Sequence, residues 1–246
     1  MTALLAILAV LPALGLVVYF YVRDRYEPEP RAYVAAAFLY GALILIPALW
    51  FGRAVHGAVD REWLALSGLW GRLYEDFLVA GAVEEALKWI LFMVTIARWH
   101  EFDEPMDGCV YGATMSLGLA AVENLYYVIS LGTVEIAVLR GIFAVPAHAL
   151  CGASMGYFVG RAKFAHRRWT LWYLVPLSLI VPWIFHGAYD HVCNYRTGAK
   201  GWVLLGLLSL AMWVFVMFAV SWALGRSPFK DGEESPQGDA EPPTGK

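Results

Sequence analysis

Seven segments of about 19 to 26 residues, each dominated by apolar side chains, follow one another along the chain at 3–21, 32–51, 77–96, 106–131, 136–159, 171–190 and 202–224. A helix rises about 1.5 Å per residue, so about 20 residues cross the roughly 30 Å hydrocarbon core of a bilayer. Inside lipid each segment must satisfy its own backbone polar groups, which selects helices. Composition agrees: 60% of the 246 residues are apolar and 16% charged, against about 45–50% and 25% in soluble domains. The expected fold is therefore all-α, a polytopic transmembrane helix bundle of about seven spans. Residues 52–75, mixed and Trp-rich, suit an interfacial or re-entrant stretch. Residues 1–225 read as one membrane domain, and the Pro-, Gly- and acid-rich stretch 226–246 as a disordered tail.

The Lys/Arg bias of the loops sets the expected orientation. Ten basic residues (Arg23, Arg25, Arg31, Arg98, Arg161, Lys163, Arg167, Arg168, Arg226, Lys230) share one side and five (Arg53, Arg61, Arg72, Arg196, Lys200) the other. That places the N-terminus outside and the C-terminus in the cytoplasm. A net charge of −3 without a basic stripe excludes nucleic acid as a partner. Cys109, Cys151 and Cys193 are far apart and form no C-x-x-C pair, so they read as small apolar residues.

Charge inside the apolar segments is the feature that points to function. Glu84, Glu85 and Lys88 sit in the third segment, Glu123 in the fourth, His148 in the fifth, and His186 with Asp190 in the sixth. A charge at the bilayer centre costs at least about 2.5–3.5 kcal/mol, so such residues face a protein interior. At 1.5 Å per residue, Glu84, Glu123, His148, His186 and Asp190 fall about 9 to 21 Å below the outer face, one common layer. Glu84 and Lys88 stand at i,i+4 and can pair, leaving Glu85 about 100° away and free; alternatively the two carboxylates share a proton. His186 and Asp190, also at i,i+4, suit joint metal ligation or a carboxylate that orients an imidazole. Small residues (Gly112, Ser116 and Ala120; Ala144, Cys151 and Gly152) permit close helix approach there. Each feature has a plainer account: an ion pair that fixes helix register, Glu123 neutralising Arg140, His148 as a hydrogen-bonded core residue, and His186/Asp190 as an interfacial cap. His56, His100, His166 and His191 lie at expected loops or helix ends and read as solvated.

The ordered set Glu84-Glu85-x-x-Lys88, Asp107-Gly-x-x-Tyr111-Gly112, Glu123-Asn124, His148 and His186-x-x-x-Asp190 resembles the motif series of the PrsW family of intramembrane proteases. That family is similar in motif layout to the CAAX prenyl endopeptidases. The resemblance covers residues 81–190. Leu119 and Ala144 stand where family members often carry an aromatic residue. It implies hydrolysis of a peptide bond in a membrane-anchored protein substrate by an enzyme embedded in the lipid bilayer of a bacterial or archaeal cell. The chemistry needs an activated water, an oxyanion stabiliser and a proton donor to the leaving amine. Glu84 or Glu85 would be the base, and His148 would orient or ligate the water. His186, its tautomer set by Asp190, would bind the oxyanion or a metal. Zinc would draw its ligands from His148, His186, Glu123 and Asp190; a metal-free glutamate mechanism, as the prenyl endopeptidases suggest, is the alternative.

Two other classes compete. A proton- or cation-coupled transporter would use the same Glu/His/Lys chain as a relay, but no two halves with matching broken segments are visible. Haem ligation by His148 and His186 is opposed by the density of Glu and Asp around them.

Overall fold

The computed structural model describes residues 2–59, 68–195 and 197–230. Among them every regular element is helical. Helices α1 (Thr2–Arg23), α2 (Arg31–Leu43) and α3 (Leu45–Val59) open the chain. Next, α4 (Gly68–Leu73) runs through a π-helical stretch, Tyr74–Ala82, into α5 (Val83–Val94). The rest is α6 (Pro105–Leu131), α7 (Val134–Leu139), a second π stretch (Arg140–Ala144), α8 (Val145–Lys163), α9 (Leu171–Tyr195) and α10 (Gly198–Leu224).

Five of the helical segments are long and apolar enough to cross a membrane: Ala3–Arg23, Arg31–Gly57, Val134–Lys163, Arg168–Tyr195 and Gly198–Leu224. Their outward faces carry large apolar side chains such as Ile7, Leu11 and Val18 on α1 and Leu207, Leu210 and Val214 on α10, as a lipid-facing surface requires. The chain is an integral membrane protein.

Helix α6 is the axis of the bundle. It is buried without interruption from Pro105 to Ala121 and packs on α1, α2 and α8. Close approach makes this possible. A Cβ on Gly156 would stand 1.6 Å from the carbonyl oxygen of Gly108, and one on Gly112 would stand 2.2 Å from that of Gly152. The Gly108/Gly112 and Gly152/Gly156 pairs, four apart on each helix, thus bring α6 and α8 into backbone contact. Gly41 does the same for α2, where a Cβ would lie 1.7 Å from the oxygen of Met115. Helix α9 closes the other side: Trp89 Nε1 donates to Ser178 Oγ at 2.8 Å, and Trp183 Nε1 donates to the carbonyl of Phe77.

Helix α6, which ends at Leu131 before a left-handed Gly132 (φ 69°), and the last helix coincide with the expected segments 106–131 and 202–224. The expected second span lies within the apolar segment Arg31–Gly57, with an interruption at Ile44 between α2 and α3. Pro47 explains the break: it offers no N–H to the Leu43 carbonyl, and its ring crowds that turn. The expected interfacial stretch is partly helical, since α3 runs on to Val59 and helix resumes at Gly68; residues 60–67 lie outside the described residues, as do 231–246 of the expected tail. All three cysteines are free thiols.

Candidate active site

Four helices deliver the intramembrane polar groups to one place. Helix α5 carries Glu84, Glu85 and Lys88, α6 carries Glu123, α8 carries His148, and α9 carries His186 and Asp190. Both α5 and α8 are entered through π-helical stretches, and each ends one residue before the helix that bears the site. Such stretches rotate the side chains that follow them relative to a regular helix, and they recur at functional sites.

Glu85 is the buried anchor. It is fully inaccessible, and its Oε1 accepts from Lys88 Nζ at 2.6 Å and lies 2.7 Å from His186 Nδ1. Lys88, equally buried, also reaches His148 Nδ1 at 3.3 Å. One carboxylate and one ammonium thus tie α5 to α8 and α9. Replacing Lys88 by Met should cost about 3–5 kcal/mol, because Glu85 would be left with a buried, under-compensated charge. Thermal unfolding of the purified variant measures it.

Around this anchor opens a cavity of about 320 Å³, whose lining includes Glu84, Glu123, Tyr127, His148, His186 and Asp190. Glu123 Oε2 lies 2.9 Å from His148 Nε2 and 3.2 Å from an Arg140 guanidinium nitrogen. Arg140 stacks over Tyr127, 4.0 Å from the ring centroid, and its Nε donates to Asn124 Oδ1 at 3.0 Å. His186 Nε2 lies 3.4 Å from Asp190 and 3.9 Å from Glu84. The two imidazoles meet edge to face with centroids 5.2 Å apart. Glu84 Oε2 has no hydrogen-bond donor.

Several local expectations are corrected. Lys88 pairs with Glu85 at i,i+3, not with Glu84 at i,i+4, so Glu85 is held and Glu84 faces the cavity. The Nδ1 of His186 is fixed by Glu85, while Asp190 stands on the Nε2 side. Glu123 does meet Arg140, yet it contacts His148 as well. His191 is not simply solvated: its Nδ1 lies 2.8 Å from Asp76, a buried carboxylate that also accepts from Asn194 Nδ2 at 2.9 Å. Sequence reading missed Asp76, Tyr127 and Tyr189. Tyr127 and Tyr189 sit on helices already singled out for their charges, and Asp76 lies in the π-helical stretch before α5, but no spacing marked them.

The donor set suits a metal in composition. Ligand atoms of Glu84, His148 and His186 all lie within 4.8 Å of one another, and two imidazoles with a carboxylate make a familiar catalytic zinc set. Glu123 and Asp190, the carboxylates expected as ligands, flank this trio without belonging to it. The two rings differ in readiness. His186 gives its Nδ1 proton to a carboxylate and presents Nε2, as metal-binding imidazoles do. Lys88 has only protons to offer, so His148 Nδ1 is the acceptor and Nε2 holds the ring proton, which metal loading would displace.

A membrane-embedded helical bundle with glutamates, two histidines and a lysine around a polar cavity holds the groups that an intramembrane hydrolase needs. Comparison with known proteins is more specific. Residues 29–222 match the sequence profile of the PrsW family intramembrane metalloproteases. Protease PrsW of Geobacillus kaustophilus is 36% identical over 221 residues, 88% of this chain and 90% of that protein. Protease PrsW of Bacillus subtilis is 36% identical over 192 residues, 78% and 82% of the two chains. That of Clostridioides difficile is 25% identical over 214 residues. No solved structure matches the chain. The chain belongs to the PrsW family, and the peptidase class, rather than a transporter, follows from that membership.

Proposed function

We propose that this protein hydrolyses a peptide bond of a membrane-anchored protein substrate in the cavity between α5, α6, α8 and α9, with Glu84 handling the proton. The observation that carries this is the division of labour between two adjacent carboxylates. Glu85 is committed to Lys88 and His186, whereas Glu84 faces the cavity with Oε2 unpartnered. In the reaction the water oxygen bonds to the carbonyl carbon while Glu84 takes one of its protons. That proton passes to the amide nitrogen as the C–N bond breaks. His148, held by Lys88 and carrying its proton on Nε2, is placed to donate to the oxyanion, and His186, held by Glu85 at Nδ1, does so from Nε2 when it is the imidazolium. Glu85 and Lys88 are positioning residues that act through the two rings.

If a metal is used, Glu84, His148 and His186 would hold it, and Glu123 or Asp190, on the same cavity wall, would accept the proton. Zinc there would supply Lewis-acid polarisation of the scissile carbonyl. In both forms the same three residues form the reacting centre.

We also propose that the chain crosses the membrane seven times. Gly68–Val94 and α6 are each 27 residues long and would add two crossings to the five apolar ones. Both carry charged and polar side chains (Glu84, Glu85 and Lys88 on α5, Asp107, Glu123 and Asn124 on α6), which depress their mean hydropathy without shortening them. Seven crossings and the Lys/Arg bias put the C-terminus in the cytoplasm.

The test is cleavage of a single-span substrate by the purified full-length protein, with zinc measured in parallel. Cleavage by wild type and its loss in Glu84→Gln and His186→Ala supports the reading. Full activity in both variants contradicts it. Zinc near one per chain that falls in His186→Ala together with activity selects the metal form.

A further inference from the structure

At the end of the bundle where α1 meets α2 and α6 begins, a second group of acids is packed together, and the hydrolysis described above uses none of them. Asp24 and Glu29 come from the loop between α1 and α2, Glu104 immediately precedes α6, and Asp107 lies in its first turn. Ligand oxygens of Asp24, Glu104 and Asp107 fall within 4.8 Å of one another. Asp24 is 1% exposed, Glu29 3%, Glu104 0% and Asp107 1%.

Little nearby answers these charges. Asp107 Oδ2 accepts the backbone N–H groups of Asp103 and Glu104 at 2.8 and 2.7 Å, and Glu29 Oε2 accepts from the Tyr111 hydroxyl. Both oxygens of Asp24 and Oε1 of Glu29 have no hydrogen-bond donor, while Glu104 closes a capping box, its carboxylate toward the Asp107 N–H and beside Ser227. None of these acids makes a salt bridge to Lys or Arg among the described residues. Lys163, the nearby ammonium, is turned to the carbonyls of Ala97 and Trp99 and over the Phe102 ring. Burial, reinforced by the Glu104 and Asp107 charges, pushes the Asp24 carboxyl up to about 9, and burial with the Asp107 charge pushes Glu29 up to about 10. Buried carboxylates are normally paired, protonated or bound to a cation.

We propose that Asp24, Glu29, Glu104 and Asp107 form a binding site for a hard divalent cation, Mg²⁺ or Ca²⁺, that pins the α1–α2 loop to the start of α6. An all-oxygen, carboxylate-rich donor set selects these ions over zinc. Converging oxygens with no donor supply the vacant coordination that a cation fills. The site is distinct from the Glu84/His148/His186 centre, which includes imidazole nitrogen and lies near the opposite end of α6. Its effect is on architecture: it fastens the first helical pair to the central helix through an acid on each side of the joint.

The rival arrangement is a set of acids that share protons, and the two respond oppositely to added metal. The full-length protein in detergent, stripped with EDTA, is titrated separately with MgCl₂ and CaCl₂ while thermal unfolding is followed. Tb³⁺ emission, sensitised by Tyr111 and by Trp99, whose ring lies 5.1 Å from it, reports occupancy directly. The expected result is a saturable rise in Tm of at least about 3 °C, larger for the ion that occupies the site. Tb³⁺ emission is expected to be displaced by that ion. Asp24→Asn and Glu104→Gln should lose both responses while remaining folded in EDTA, since each relieves repulsion. Glu84→Gln should keep both. No rise in Tm and no sensitised emission from the wild type overturns the proposal without reference to any variant. So do responses that persist in Asp24→Asn and Glu104→Gln, or that vanish in Glu84→Gln.

Discussion

Glu84→Gln should reduce the rate of substrate cleavage by about 10²–10⁴-fold, the range a positioned acid–base group contributes. It should do so while leaving the protein folded. Gln keeps the shape of Glu84 and faces a cavity, and the contact it alters, His186 Nε2 at 3.9 Å, is longer than a hydrogen bond. The thermal unfolding midpoint should stay within about 2 °C of wild type, since substitutions that break no buried feature change stability by about 0.5 kcal/mol or less. Glu85→Gln should differ in kind. It removes a charge from a fully buried contact with Lys88 and His186, so stability and activity should fall together. A side-by-side comparison of cleavage rate and unfolding midpoint separates the two glutamates. Equal behaviour of the two variants would mean that the roles assigned to them are wrong.

Gly156→Leu should have the largest effect on stability. Even the first added carbon would sit 1.6 Å from the Gly108 oxygen, a backbone atom that cannot rotate away. The α6–α8 contact would have to open, and α6 is the helix on which α1 and α2 also pack. A loss of more than about 3 kcal/mol is expected, at the upper end of overpacking costs. It would be read as lost accumulation in the membrane or a collapsed unfolding midpoint. Gly206→Leu on α10 is the control: a Cβ there meets nothing within 4 Å, and the change should be nearly silent.

The sequence shows clearly which helices matter, because a charge in an apolar segment is conspicuous and costly. Glu84, Glu123, His148 and His186 stand out for that reason, and a shared depth follows from counting residues. Which partner Lys88 takes is not legible. Both i,i+3 and i,i+4 are within its reach, and the choice falls to how α5 leaves the π stretch at Tyr74–Ala82 and meets His186. The His191–Asp76 contact is hidden for a related reason, since it joins residues 115 apart whose helices must first be placed. Asp24, Glu29 and Glu104 lie in two loops, where charge is ordinary, so nothing in the sequence separates them from solvated residues, and Asp107 stands out only as part of the family motif. Their burial appears only when α1, α2 and α6 come together.

A structure of Glu84→Gln holding an uncut substrate segment tests the central claim most directly. The account predicts the scissile carbonyl in the cavity between α5, α6, α8 and α9, with its carbon within about 4 Å of the residue-84 side chain, room for one water between them, and its oxygen turned toward the His148 and His186 rings. A scissile bond bound on another surface, or in this cavity beyond the reach of residue 84 and both imidazoles, would contradict it.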